Sequence, residues 1–175
     1  MLNVVLLEPE IPANTGNIGR TCTATGTALH LIRPLGFSLD EKQLRRAGLD
    51  YWKDLQVTVY ENFGDFLEKN PGAAGKLHLA TTKAQKLYTE ARYEDGDYIM
   101  FGKESRGIPE EILVEYEERC VRIPMESKIR SLNLSNSVAV VLYEALRQND
   151  FFDMQRKGNL HELHWKHGDD SIVSY

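Results

Sequence analysis

The amino-acid sequence predicts an α/β fold, with a mostly parallel sheet covered by helices on both faces. Short apolar runs of strand length alternate along the chain with segments whose apolar residues recur at helical spacing. The first of these runs is continuously apolar, which is typical of a strand buried on both sides in a parallel sheet. The length of 175 residues suits one domain, expected over residues 1–150, with a partly ordered extension over 151–175.

The composition of the chain excludes several classes of protein. The chain is 42% hydrophobic and 27% charged, and no apolar run approaches the ~20 residues that cross a bilayer. We therefore expect a soluble cytoplasmic protein with no membrane partner. Its net charge of -5 argues against non-specific coating of nucleic acid, so no DNA partner is expected and any RNA contact must come from a local basic patch. Cys22 and Cys120 are far apart and predict buried thiols rather than a disulfide or zinc site.

The elements follow in order from these patterns. A strand is predicted at Asn3 to Leu7, followed after Pro12 by a loop that leads into a helix. Ser38 and Glu41 have the spacing of a capping box, which predicts a short helix. The other strands are expected at Leu29 to Ile32, Gln56 to Tyr60, Leu77 to Thr81, Asp97 to Phe101 and Cys120 to Ile123, and the other helices at Phe63 to Lys69 and Pro109 to Tyr116.

The last predicted helix begins near Ser135 and carries an apolar stripe at helical spacing. The stripe consists of Val138, Val141, Leu142, Ala145 and Leu146. Val140 and Tyr143 fall outside it, so apolar residues cover more of the helix than one core contact needs. The pattern alone leaves two interpretations open, a central core helix in a monomer or a helix that also packs against a second copy of the chain.

The segment NTGNIGR, Asn14 to Arg20, lies between the first strand and the first predicted helix. Gly16 and Gly19 supply only part of a dinucleotide-binding glycine motif, which disfavours a nicotinamide enzyme. Asn14 and Thr15 could instead cap the helix. Arg20 is disfavoured near a helix start by the helix dipole, which suggests an anionic partner such as phosphate.

Two further polar turns follow predicted strands. FGKESRG, Phe101 to Gly107, has glycines at both ends of a turn that holds Glu104, whose side chain could equally be solvated or paired with Arg106. SLNLSNS, residues 131–137, could simply cap the last helix. Because ligands bind at the carboxyl ends of strands in α/β sheets, the three turns could converge on one pocket.

These three motifs together, in this order, resemble those of the SPOUT RNA methyltransferases. The segments LEPEIPANTGN, LRRAGLDYW, ATTK and GDYIMFG are similar to the small TrmL (YibK-type) members, which methylate the ribose 2′-oxygen of the tRNA wobble nucleotide. The resemblance covers about residues 1–150. It implies a C-terminal deep trefoil knot, a homodimer through the C-terminal helix, and cytidine or modified uridine 34 of tRNA, with leucine tRNAs expected, as the substrate.

The resemblance also implies site residues. It assigns the cofactor S-adenosylmethionine to Ala80, Gly102, Ile123, Ser131 and Leu132, largely through backbone contacts. Arg20 matches the family's essential arginine, and Asn14, Glu104 and Asn133 match residues around it. Because a guanidinium stays protonated in proteins, we expect Arg20 to stabilise the developing alkoxide, or to bind an adjacent phosphate that takes the proton, rather than to act as the base.

RNA contact requires basic and stacking groups. Lys42, Arg45, Arg46, Tyr51 and Trp52 form the best local cluster, with Lys128 and Arg130 on the cofactor loop. A solvated helix face and core aromatics are the structural alternative, and the resemblance favours RNA contact by Arg45, Arg46 and Arg130. The tail histidines His161, His164 and His167 have no metal-site spacing, so no metal is expected.

Three alternatives stay open beside a tRNA wobble methyltransferase. The first is a 2′-O-methyltransferase for another tRNA or rRNA site. The second is an RNA-binding or assembly protein that keeps the fold without catalysis, which an intact Arg20, Glu104 and Asn133 disfavour. The third is a nucleotide-binding oxidoreductase.

Overall fold

A computed structural model describes residues 1–38 and 55–165 of the chain. The predicted helix after Ser38 and the basic cluster with Arg45 and Arg46 lie outside these described residues, as does His167. Within the described part, six parallel strands form one sheet in the order β3-β2-β1-β5-β4-β6. The α/β prediction with a parallel sheet is therefore confirmed.

The elements lie close to their predicted bounds. The strands are β1 (Asn3–Leu7), β2 (Ala28–Ile32), β3 (Val57–Tyr60), β4 (Leu77–Ala80), β5 (Tyr98–Phe101) and β6 (Cys120–Val121). The α-helices are α1 (Pro12–Thr25), α2 (Phe63–Lys69), α3 (Glu110–Glu115) and α4 (Leu134–Gln148), with 3-10 turns at Ala73–Lys76 and Glu117–Arg119. Among the described residues no helix is long and apolar enough to span a membrane.

Alternating residues of each strand supply two apolar cores, one on each face of the sheet. On one face, Val4 and Leu6 of β1 pack with Ile18 and Cys22 of α1 and with the apolar stripe of α4. On the other face, Val5 and Leu7 pack with α2, α3 and their neighbours. Burial of both faces explains why β1 is apolar throughout. The free thiols of Cys22 and Cys120 are buried, as predicted.

The predicted loop at NTGNIGR is wrong, because the whole motif lies inside α1. Pro12 occupies the first turn of the helix, where its missing N–H costs nothing, and Asn14 lies two residues further on. Gly16 and Gly19 are buried residues within α1, so they do not form a phosphate-binding loop. Arg20 is well inside the helix, and the dipole argument for an anion at the helix start does not apply to it.

The last strand is also shorter than predicted. β6 ends at Val121, and Arg122 instead forms an isolated bridge with Leu87 in the connection between β4 and β5. β4 itself ends at Ala80, so a longer β6 would have no strand to pair with. The threading of a knot and the division of the chain at residue 150 both stay predictions. Phe151 and Met154, at the start of the expected extension, pack against the core.

The α4 stripe is confirmed. All five of its predicted residues, Val138, Val141, Leu142, Ala145 and Leu146, are buried. Val140 and Tyr143 are 37% and 45% exposed, so they form an outward apolar face on the same helix. Asn133 is the N-cap residue, and its side-chain oxygen accepts a hydrogen bond from the backbone N–H of Ser135 at 2.9 Å.

Candidate active site

A cavity of about 510 Å³ lies at the carboxyl ends of β4 and β5. β1 pairs with β2 on one side and with β5 on the other, so the chain order reverses between β1 and β5. Ligands of open α/β sheets bind at such a reversal. The cavity walls come from residues 80–83 after β4, residues 101–107 after β5, the start of α1, and residues 123–137 at the entrance to α4.

The predicted convergence of the polar motifs is confirmed. The cavity is lined by Asn14 from the first motif, Gly102 and Glu104 from the second, and Ser131 and Asn133 from the third. It is also lined by Ala80, Ile123, Leu132 and Arg130, so every predicted cofactor residue lies on one surface. Because a cavity gathers these residues from distant parts of the chain, the set is consistent with one ligand site.

A chain of hydrogen bonds joins the three motifs. The Asn14 Nδ2 donates to Glu104 Oε1 at 3.0 Å, and the Asn133 Nδ2 donates to Asn14 Oδ1 at 3.0 Å. The Asn133 Oδ1 in turn accepts from Ser135 Oγ at 2.7 Å. A carboxylate only accepts hydrogen bonds, so Glu104 fixes which way the Asn14 amide faces, and Asn14 then fixes Asn133.

The Glu104 side chain is half-buried, and its carboxylate is hydrogen-bonded to the segment at the start of α1. Among the described residues it forms no ion pair with Arg106. The Glu104 Oε2 accepts the backbone N–H of Glu10 at 2.8 Å, and its Oε1 accepts that of Ile11 at 3.3 Å. Together with Asn14, these donors supply three hydrogen bonds to one carboxylate. Glu104 is therefore held as an acceptor that organises the start of α1.

The turn that carries Glu104 depends on both of its glycines. The Gly107 N–H donates to the Lys103 carbonyl at 2.8 Å, and Gly107 has a φ of 71°, which favours glycine. A Cβ on Gly102 would lie 2.0 Å from the Gly107 carbonyl carbon. The close approach of these two backbone segments explains the spacing of FGKESRG.

Several predicted residues lie elsewhere or have additional contacts. Arg20 is exposed on α1, roughly 9 Å along the axis from Asn14 at ~1.5 Å per residue, and is not among the described residues that line the cavity. Arg130, predicted to contact RNA, is exposed and donates to the Ser105 carbonyl at 3.2 Å. The roles of all these site residues stay predictions.

Sequence reasoning missed a second acidic residue at the site. Glu10 accepts the Ser105 N–H and the Ser105 Oγ–H, each at 2.8 Å. These bonds hold the pKa of the Glu10 carboxyl below its ordinary value, with smaller contributions from Lys103 and Arg106. Nearby, the Lys103 ammonium donates to Glu8 Oε2 at 2.6 Å. Two glutamates, Glu8 and Glu10, on either side of Pro9 and just before a helix were the available signal in the sequence.

Comparison with known proteins gives consistent matches. A model of the SpoU rRNA Methylase family matches residues 1–143. A curated protein of Escherichia coli (strain K12), the tRNA (cytidine(34)-2'-O)-methyltransferase, is 53% identical over 150 residues, which cover 85% of this chain and 94% of that protein.

Solved structures agree with these sequence matches. One presented as "Structural insights into the 2-OH methylation of C/U34 on tRNA" has a TM-score of 0.80 and 47% identity, and covers 86% of this chain and 97% of its own. The structure of an RNA 2'-O ribose methyltransferase has a TM-score of 0.72 and 30% identity over 84% of this chain and 56% of its own.

Proposed function

Because the chain belongs to the SpoU rRNA methylase family, we propose that it uses S-adenosylmethionine to methylate the ribose 2′-hydroxyl of the tRNA wobble nucleotide. The observation that carries the proposal is that residues from all three motifs line the same cavity. The relatives named for nucleotide 34 of tRNA support the substrate, with cytidine or modified uridine of leucine tRNAs as the expected target. The proposed unit is residues 1–150, acting in the cytoplasm on tRNA and not on DNA.

The residues present fit the cofactor. The cavity of about 510 Å³ lies within the ~300–1,000 Å³ typical of small-molecule pockets. Its lining combines the small or polar residues Ala80, Gly102 and Ser131 with the apolar residues Ile123 and Leu132. Apolar walls with a few oriented polar groups are what an adenosine and an amino-acid tail require. When bound, S-adenosylmethionine supplies an electrophilic methyl group on a sulfonium.

The protein must orient the ribose hydroxyl and help its proton leave. Precise orientation contributes much of the rate in such a bimolecular transfer. In our proposal Asn14 and Asn133 hold the substrate side of the cavity, and the Glu104 carboxylate holds Asn14. Arg20 stabilises the developing alkoxide, or binds a neighbouring phosphate that takes the proton, because a guanidinium is a poor base.

A second copy of the chain completes the proposed assembly. Val140 and Tyr143 leave an apolar face on α4 that the core does not cover, and symmetric dimers commonly bury such faces. We therefore assign this face to a homodimer interface. A Tyr143→Lys variant is expected to shift the protein from dimer to monomer in light scattering, whereas an unchanged mass would remove this assignment.

The deciding experiment measures methyl transfer from labelled S-adenosylmethionine to tRNA from cells that lack this modification, followed by nucleoside mapping. We expect label in 2′-O-methylated nucleotide 34, lost in Arg20→Ala. It should persist in Arg92→Ala, whose exposed guanidinium pairs with Glu94 at 3.0 Å on another part of the surface. Label at another nucleotide would replace the substrate assignment. Cofactor binding with no label in any RNA would favour a non-catalytic RNA-binding role.

A further inference from the structure

Glu10 and the turn after β5 hold each other through reciprocal hydrogen bonds. The Glu10 side chain accepts the Ser105 N–H and Oγ–H at 2.8 Å each, while the Glu10 backbone N–H donates to Glu104 Oε2 at 2.8 Å. Each segment therefore presents a carboxylate to the backbone of the other. We name this pair of contacts, between residues 10 and 104–105, the carboxylate clamp.

Both halves of the clamp are anchored. On the first side, the Gly36 N–H donates to the Pro9 carbonyl at 2.9 Å. A Cβ on Gly36 would lie 2.5 Å from the Glu10 carbonyl oxygen, so the loop after β2 is in close contact with this segment. The loop after β2 thus holds the backbone at Glu10 in place, so the Glu10 side chain can act as a well-positioned acceptor.

On the second side, the clamp reaches the loop before α4. The Ser105 carbonyl accepts a hydrogen bond from the Arg130 guanidinium at 3.2 Å. Ser105 is therefore held by Glu10 through its N–H and hydroxyl, and by Arg130 through its carbonyl. Both Ser105 and Arg130 line the cavity, so a movement of this turn would change the shape of the cavity wall.

We infer that Glu10 is a positioning residue for methyl transfer, which fixes the Ser105 turn and thereby the Glu104–Asn14–Asn133 hydrogen bonds beside the substrate. The inference rests on the proposed function. Glu10 itself is outside the set that lines the cavity among the described residues, so it acts through Ser105 and Glu104. A shift of the turn by about 1 Å would be enough to lower turnover by about 100-fold.

The clamp joins two loops at the rim of the sheet rather than two parts of the core. Ser105 is exposed and Glu10 is half-buried. Loss of the Glu10 carboxylate should therefore leave the sheet and its packed helices intact. This separates a positioning role from a general contribution to folding, because the two roles predict different changes in turnover and in thermal stability.

The test compares Glu10→Ala with Glu10→Gln in the full-length protein. In the glutamine variant the amide oxygen can still accept the Ser105 N–H, while the amide nitrogen donates to the Ser105 Oγ, since a hydroxyl can also accept. We expect kcat to fall by about 10–100-fold in Glu10→Ala. In Glu10→Gln, kcat should return most of the way to the wild-type value. KM for tRNA, the Kd of S-adenosylmethionine and Tm should change little. Glu94→Ala, which removes an exposed glutamate from an ion pair with Arg92, is the matched control.

Hydrogen exchange gives a readout that does not depend on activity. Glu10→Ala should speed exchange of the Ser105 amide, which loses its acceptor, and of the Ile11 amide, which depends on Glu104. The inference would be overturned if kcat were unchanged in Glu10→Ala. It would also be overturned if the lower kcat came with weaker cofactor binding and a lower Tm. If the wild-type protein methylates no RNA, the proposed function fails. Faster exchange at both amides would then still support the clamp, and unchanged exchange would overturn it.

Discussion

Asn133 donates a hydrogen bond across 3.0 Å to Asn14, although 119 positions separate them in the chain. The same Asn133 caps α4 by accepting the Ser135 N–H at 2.9 Å. One side chain therefore starts the last helix and also aligns the first one at the cavity. A substitution at Asn133 has two consequences, one for helix stability and one for the site, and these can be separated.

Replacement of Asn133 by alanine removes both contacts. We expect a loss of about 1 kcal/mol in the free energy of unfolding from the missing cap, together with at least a tenfold loss in kcat from the freed Asn14. Asn62→Ala is the control, because Asn62 caps α2 through the Asp65 N–H at 2.9 Å. In urea unfolding this variant should lose similar stability, and in methyl-transfer assays it should keep full activity.

Asn133→Asp separates the two roles further. A carboxylate can still cap Ser135, but it places an acceptor against the Asn14 Oδ1, which cannot turn away because Glu104 needs the Asn14 amide nitrogen. The cap is therefore kept, so any loss of stability should come only from the mismatched pair, while kcat falls. Full activity in this variant would show that the bond between the two asparagines does not matter for turnover.

Glu104→Gln tests the three donors that meet at one carboxylate. Whichever way the new amide faces, its nitrogen lies against an N–H group of Glu10, or of Ile11 and Asn14. An unmatched donor costs about 1–3 kcal/mol, so we expect lower stability and lower kcat, measured by urea unfolding and single-turnover transfer. Glu110→Gln is the control. Its carboxylate is exposed in an ion pair with Lys83, so both quantities should stay close to wild type.

Sequence reasoning could predict the secondary structure and part of the site, but not the hydrogen bonds of Glu10. The strands and the α4 stripe were predictable because their signal is local periodicity, and all five stripe residues are buried. The identities of Asn14, Glu104 and Asn133 as neighbours came from the resemblance to a family. The bonds of Glu10 to Ser105 could not be predicted, because they join loops whose approach depends on the whole sheet.

The start of α1 was predicted wrongly for another physical reason. Gly16 and Gly19 lower the helix propensity of this segment by roughly 1 kcal/mol each relative to alanine, so local reasoning favours a loop. Burial of the segment against α4 and β-strand side chains outweighs that cost. Tertiary packing therefore decides the conformation of a motif whose own residues predict the opposite.

Gly102→Ala tests the close approach of two backbone segments that line the cavity. The added Cβ would lie 2.0 Å from the Gly107 carbonyl carbon and 2.2 Å from the Ile108 nitrogen, so the turn must move. We expect at least a tenfold rise in the Kd of S-adenosylmethionine by calorimetry. Gly75→Ala is the control, since a Cβ there meets nothing within 4 Å, and its Kd should equal that of the wild type.

Arg20→Lys tests whether the planar guanidinium is needed. Lysine keeps the positive charge but cannot contact two oxygens in a fixed fork geometry. We expect kcat to fall by about 10-fold or more, consistent with the loss of one strong charge-assisted contact. Nearly full turnover would mean that charge alone suffices and that the fork geometry is irrelevant.

Acid should destabilise the protein through a buried histidine. Burial lowers the pKa of His30 to about 4, while its ring contacts Tyr60 Oη at 2.8 Å and Asn3 Oδ1 at 3.1 Å. Below about pH 6.5 the unfolded chain takes up a proton at this position and the folded protein does not, so stability falls as pH decreases towards 4. Between pH 7 and pH 5 this group should remove about 2 kcal/mol from the free energy of unfolding.

Burial also lowers the pKa of His78 despite its bond to Asp97, which adds a loss of the same sign. Urea unfolding at both pH values should show a smaller difference in His30→Gln than in wild type, and the exposed control His164→Gln should match wild type. An equal difference in all three proteins would assign the acid sensitivity to other groups.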